Sequence, residues 1–265
     1  MATDVTSAEA MPADHVARVP SRHRWRFVFV YGTLGAALAL ALVGTVVYAG
    51  RSISPGQTWS AWKPHGGGLG AAKEIAQHVG NGYRLPGGTQ LVDVIARVPS
   101  VSSAKQTIPI SFFSIRGPKG VGDAVVPVSS SNSMTFSLCG LGQACSIATG
   151  KSSAERGILV RREILELALY TFKYVAGVDN VVAFQPPVLG KPQYTVYLQK
   201  RDLSQQLKLP LVRTLSPKVP LPSTIVPREA QMLDAVLKPR IYTSSFAQSQ
   251  QGDLVLVLKP FKAPS

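Results

Sequence analysis

The sequence predicts an α+β protein: one N-terminal transmembrane helix, then an extracytoplasmic, mostly antiparallel sheet covered by a long helix. Three features lead there. Residues 27–49, FVFVYGTLGAALALALVGTVVYA, carry no charge, and about 20 apolar residues rising about 1.5 Å each span a bilayer core. Beyond them, short apolar or alternating runs bounded by Gly, Pro, Asn and Ser recur, as strands do. Residues 152–176 alone outside the apolar run carry long helical periodicity.

The apolar run sets the topology. Its glycines and alanines suit a helix in lipid, where backbone groups are satisfied internally. Tyr31 and Tyr48 lie toward its ends and Trp25 just before it, the places of interfacial aromatic anchors. Arg18, Arg22, Arg24 and Arg26 precede the run, and only Arg51 and Lys63 follow closely. Positive charge stays inside, so the N-terminus is cytoplasmic and the remainder is outside. A cleaved signal peptide is the competing reading. Its apolar core is about 7–15 residues and ends on a small-x-small site; this core is longer and its exit, Val47-Tyr48-Ala49-Gly50, fits poorly. Small residues such as Gly32 and Gly35 offer a helix–helix seam, which makes a homodimer a candidate alongside a plain lipid-facing helix. The tail, residues 1–26, has no apolar periodicity and is expected to be disordered.

Residues 50–68 read as a linker rich in Pro and Gly, and residues 69–265 as one α+β domain. Trp59 and Trp62 in the linker either rest at the outer headgroup layer, the preferred expectation, or dock on the domain. The net charge is +14; 24 of the 28 Lys and Arg but 11 of the 14 Asp and Glu lie beyond residue 49. That excess favours a lipid bilayer surface, an anionic polymer or an acidic protein as partner, against an equally weighted reading in which it serves only solubility beside a membrane. No basic run with interleaved aromatics marks a nucleic-acid groove. Cys139 and Cys145 are the only cysteines; outside the cytoplasm they are expected to form a small-loop disulfide. No metal-ligand spacing occurs and no cofactor is expected.

In order, residues 69–79 predict a helix stopped by Gly80-Asn81-Gly82. Residues 90–98, 108–115, 123–128 and 134–138 predict strands, with Pro109 at an edge or a strand start. The helix over 152–176 opens on the capping box Ser152-x-x-Glu155 and stops at Gly177. At 100° per residue, Ile158, Ile164, Leu165, Ala168, Leu169, Phe172 and Val175 share one arc, which predicts packing across a sheet. Arg162, Glu166 and Lys173 lie opposite, with Glu163 nearby. Arg161 falls inside the arc and is the candidate buried charge. The preferred reading is that it snorkels outward from near the helix start; the alternative is a buried partner such as Asp179 or Asp93. Residues 179–184 and 194–198 predict strands and residues 202–209 a short helix. The five prolines in 210–227 predict extended polyproline-like chain lying on the domain or spacing it. Pro227 opens a helix to residue 237, and residues 241–246 and 254–258 predict a closing pair of strands.

Catalytic phrases are incomplete. His65-Gly66-Gly67-Gly68 matches an oxyanion-hole phrase but no G-x-S-x-G accompanies it; Ser102-x-x-Lys105 lacks its K-T-G. Gly150-Lys151-Ser152 lacks the earlier glycine of a phosphate loop. Lys151, Ser152 and Ser153 at the helix start remain a candidate anion site, against a plain capped helix. Cys139-Gly140-Leu141-Gly142, Glu155-Arg156-Gly157, Arg161-Arg162-Glu163 and Tyr170-Thr171-Phe172 resemble uncharacterised single-pass envelope proteins of high-GC Gram-positive bacteria, over roughly residues 139–187. The resemblance implies a bacterial cell-envelope setting and attaches no activity. The expected function is a non-enzymatic envelope component that binds a protein or an anionic polymer. The alternative is an envelope hydrolase or transferase.

Overall fold

Alternation decides the sheet. In Met134, Phe136 and Leu138 the apolar residues face a helical layer, while the alternate residues Ser133, Thr135 and Ser137 face the other way. The computed structural model describes residues 58–102, 106–117, 125–142, 145, 153–188 and 190–261, all within the unit Pro55–Ser265. Residues 27–49 lie outside the described residues, as do Trp25, Tyr31 and Tyr48; no helix among the described residues is long and apolar enough to cross a membrane.

The strands are β1 (Asp93–Arg97), β2 (Ser100–Ser102), β3 (Thr107–Arg116), β4 (Val125–Ser129), β5 (Ser133–Cys139), β6 (Asn180–Phe184), β7 (Tyr194–Gln199), β8 (Ile241–Gln248) and β9 (Leu254–Pro260). They form one sheet in the order β1-β5-β6-β7-β8-β9-β3-β2, with β4 beside β3. The sheet is mostly antiparallel; β3 with β9 and β5 with β6 are parallel. Only Val98-Pro99 separates β1 from β2, the two ends of the strand order. The chain therefore brings those ends back together and the sheet is nearly closed. The Thr135 hydroxyl donates to the Arg97 carbonyl at 2.9 Å and the Ile110 amide to the Pro99 carbonyl at 3.0 Å, which ties the corner. Short β2 carries no strand signal of its own and is defined by its pairing with β3.

The helices are α1 (Gly68–Gly82), α2 (Ala154–Tyr174), α3 (Ser204–Lys208), α4 (Leu211–Thr214) and α5 (Pro227–Leu237). One core lies between α2 and the outer face of β5, β6 and β7, with Phe136, Val181, Val196, Ile164 and Ala168 among its buried residues. A second lies inside the curled sheet, built on Ile110, Phe113, Val182, Tyr197, Leu256 and Leu258. β6 is therefore covered on both faces, and NVVAF is accordingly an almost continuous apolar run.

Two readings of the helical layer are corrected. First, α2 is capped by Ser153, whose hydroxyl accepts from the Arg156 amide, one residue later than the expected Ser152 box. Second, residues 210–227 are not uniformly extended. They hold α4 and a 3-10 turn at Pro222–Thr224, and Leu211 and Leu215 bury their side chains. Apolar burial of those two leucines, worth about 1.5–3 kcal/mol each, outweighs the polyproline tendency.

Cys139 and Cys145 form the expected disulfide, S–S 2.03 Å, and the Gly140 amide donates to the Cys145 carbonyl. Closing so short a loop removes chain entropy worth about 2 kcal/mol from the unfolded state. Cys139→Ala/Cys145→Ala is expected to lower the free energy of unfolding by about that amount, read by urea denaturation of the full chain in detergent. An unchanged midpoint would show that the bridge constrains nothing.

Candidate functional site

The concave face of the sheet carries a groove where its two ends meet, with a volume of about 520 Å³. One wall is apolar: Val101, Phe184, Pro187 and Phe246. The other groups are neutral hydroxyls and amides, among them Ser102, Ser137, Ser244, Gln185 and Gln193, and one guanidinium, Arg97. Cys145 lines it too, so the disulfide loop forms part of the rim. Packing fixes the polar groups. The Gln193 side-chain amide donates to the Gln185 carbonyl at 2.6 Å, and the Thr195 and Ser244 hydroxyls lie 2.8 Å apart. Deeper inside, burial pushes the Tyr197 hydroxyl up to about 12, so it stays protonated and donates to Asn180 Oδ1 at 2.7 Å. Phe246 is 49 % exposed although it lies on the inner side of β8. An apolar wall with a few fixed donors and acceptors is the composition of a ligand site.

A second cluster lies under the helical layer. Arg162 is 1 % exposed. Its Nε donates to Glu229 Oε1 at 2.6 Å, one terminal nitrogen to Tyr83 Oη at 2.5 Å and Glu166 Oε2 at 3.2 Å, and the other to the Ser216 carbonyl at 2.6 Å. Tyr83 Oη in turn donates to Glu166 Oε2 at 2.7 Å. Burial by itself lowers the Arg162 pKa, but Tyr83, Glu166 and Glu229 outweigh it and hold the guanidinium charged. Burial raises Glu166, against the hydrogen bond from Tyr83 and the charge of Arg162. One arginine thus joins α1, α2, the residue 216 region and α5. Glu163 beside it is fully buried, and neither carboxyl oxygen has a partner among the described residues. Burial, then the Glu166 charge, raises its pKa well above the usual range, so it is a neutral acid.

Arg161, the candidate buried charge, reaches outward as the preferred reading expected, and the buried-partner alternative is corrected. Its side chain is 22 % exposed and pairs with Asp234 at 3.4 Å, not with Asp179 or Asp93. The buried charge is its neighbour Arg162, which the single-arc reading placed toward solvent. The cause is a second layer: α1, residues 210–227 and α5 cover the face of α2 that the sheet leaves. Leu159, Val160, Leu167 and Tyr170, apolar yet outside the predicted arc, are the signal that reveals it.

Trp59 and Trp62, expected at the headgroup layer, pack on the domain instead. Trp59 meets Tyr170 and Tyr174 edge-on at 5.5 and 5.6 Å, and Trp62 stacks on His78 at 3.9 Å. The Leu211 amide donates to the Trp59 carbonyl, and Lys173 covers the Trp59 ring at 5.6 Å. The amides of His65 and Gly66 donate to Glu74, so the His65-Gly66-Gly67-Gly68 stretch serves the start of α1. Lys151 and Ser152 of the candidate anion site lie outside the described residues; Ser153 is the α2 cap. No family model, curated protein or solved structure matches this chain.

Proposed function

We infer that this chain is a membrane-anchored binding or scaffold protein of a bacterial cell envelope, with its domain outside the cytoplasm and the groove of the curled sheet as its binding site. The groove's composition carries the reading: an apolar wall, fixed neutral donors and one cation suit the capture of a partner rather than bond cleavage. The uncharged run over 27–49 and the arginines before it support the anchor and its orientation. A protein or an anionic polymer is the partner the positive charge favours.

The test places a photocrosslinking amino acid at position 246 of the full chain in living cells, with position 226 on α5's flank as the control. Adducts at 246 and none at 226 are expected. Added polyphosphate in a parallel binding assay separates a polymer from a protein partner. Absence of adducts at 246, together with no polyphosphate binding, overturns the reading.

The second reading is an envelope hydrolase or transferase. A cavity of about 490 Å³ beside the Arg162 network, into which Arg213, Thr214, Arg228 and Glu229 converge, favours it. The Glu229 carboxylate already serves Arg162, which removes the one acid among those four from acid–base work. Turnover of envelope material by the purified full chain, lost in Arg213→Ala/Arg228→Ala, would support this second reading.

A further inference from the structure

β8 outruns its neighbour. The β7–β8 register ends at Tyr194 with Thr243, and one further bond joins the Ser244 amide to the Gln193 carbonyl. The chain then leaves at Lys191-Pro192, where the Lys191 amide turns back to Val188. On its other side β8 stays paired with β9 as far as Gln248. Ser245 to Gln248 are exposed and, among the described residues, have no strand partner on the β7 side. Parity says which main-chain groups are left. Ser244 points its amide at β7, so Phe246 and Gln248 point theirs the same way, while Ser245 and Ala247 face β9.

Natural sheets guard such an edge with proline or charge. β4, another edge, carries Pro127. The overhang Ser-Ser-Phe-Ala-Gln carries neither. Its inner side opens on the groove, which Ser244 and Phe246 both line, and the groove's cation, Arg97, is exposed and makes no ion pair among the described residues. Lys191, exposed at the point where β7 gives out, adds a second positive charge.

We propose that the groove takes an extended acidic peptide, which adds as a strand to the open edge of β8. This deepens the binding reading above and rests on it. Main-chain bonds to Phe246 and Gln248 hold the peptide, one inward side chain enters the apolar wall, and a carboxylate meets Arg97; this is strand addition with side-chain pockets.

The test uses the full chain in lipid nanodiscs. The probe is a pool of blocked nine-residue peptides alternating Val, Ile, Leu or Phe with Ser, Thr or Glu, beside a pool with Lys in place of Glu. The Glu pool is expected to bind and to slow hydrogen exchange at the Phe246 and Gln248 amides. Phe246→Pro removes an edge N–H without touching the β9 ladder. It is expected to weaken binding at least tenfold, while the Ser245 and Ala247 amides stay protected. Arg97→Ala is expected to abolish the preference for Glu over Lys. Binding that leaves those amides exchanging freely, or that survives Phe246→Pro, overturns strand addition while the groove reading stands. Failure of both pools to bind overturns the peptide, and crosslinking at position 246 then tests the groove separately. Protection of the same amides without peptide, rising with protein concentration, assigns the edge to a second copy and also overturns the proposal.

Discussion

Arg162→Met is expected to cost about 3–5 kcal/mol, the usual penalty for breaking a buried pair and stranding its partner. The methionine restores most of the volume but none of the donors. Glu229 loses its bond to Nε, Glu166 keeps only Tyr83, and the Ser216 carbonyl has no donor. The damage falls on the helical layer, because those acceptors lie on or beside three different elements. Urea denaturation of the full chain in detergent, followed by near-ultraviolet circular dichroism of the tryptophans packed on that layer, measures it. The double variant Arg162→Met/Glu229→Leu is expected to recover much of the loss, since an apolar pair of similar volume leaves one fewer carboxylate unpaired. A single variant within about 0.5 kcal/mol of the parent would mean that the network does not hold the layer.

Glu163→Leu is expected to act in the opposite direction. A buried carboxyl with neither oxygen satisfied costs about 1–3 kcal/mol, and leucine removes that cost at similar volume. The effect has a pH signature. Folded, Glu163 holds its proton far above the usual range because it is buried and faces Glu166, with Tyr83 and Arg162 close by. Unfolded, it releases the proton at about pH 4.3. Above that pH the folded state binds more protons than the unfolded state, so stability falls as pH rises. The slope approaches about 1.4 kcal/mol per unit until the folded group itself ionises. The difference between Glu163→Leu and the parent is therefore expected to be smallest near pH 4, where only that cost of about 1–3 kcal/mol is removed, and to widen toward neutrality. Glu166 contributes with the same sign in both proteins and cancels in that comparison. Parallel stability curves from pH 4 to 7 would show that Glu163 is already ionised in the folded chain.

These two side chains mark where sequence reading stops. The strands at residues 108–115, 134–138, 179–184 and 194–198 are legible because alternation and turn residues are local. The disulfide is legible because two cysteines leave one pairing. The covering helix is legible from its period. Which face of that helix meets a second layer is not local. Pro217, Pro220 and Pro222 argue for extended chain, yet Leu211 and Leu215 bind that stretch to the domain, and Arg162 turns inward to meet Ser216 and Glu229. The groove is harder still. Its walls come from residues 97 to 246, and they meet only because Val98-Pro99 returns the sheet on itself and β5 and β3 each find a parallel neighbour. Parallel partners are distant in sequence by construction, so no window of residues announces them. Trp59 and Trp62 illustrate the same limit: a tryptophan beside an apolar run suits a headgroup layer and an aromatic cluster equally well, and Tyr170, Tyr174 and His78 supply the cluster.

The proposed membrane tether and its direction are open to one direct measurement. Lys63 is the first lysine in the sequence, so the segment before the apolar run offers no side-chain amine. Intact cells making the full chain are treated with a membrane-impermeant amine reagent, and the protein is then recovered from the membrane fraction and mapped by mass spectrometry. With the domain outside, modification of exposed Lys63, Lys73 and Lys173 is expected before lysis. Modification of those lysines only after lysis, or recovery of the chain in the soluble fraction, would contradict a domain anchored on the outer face of the membrane.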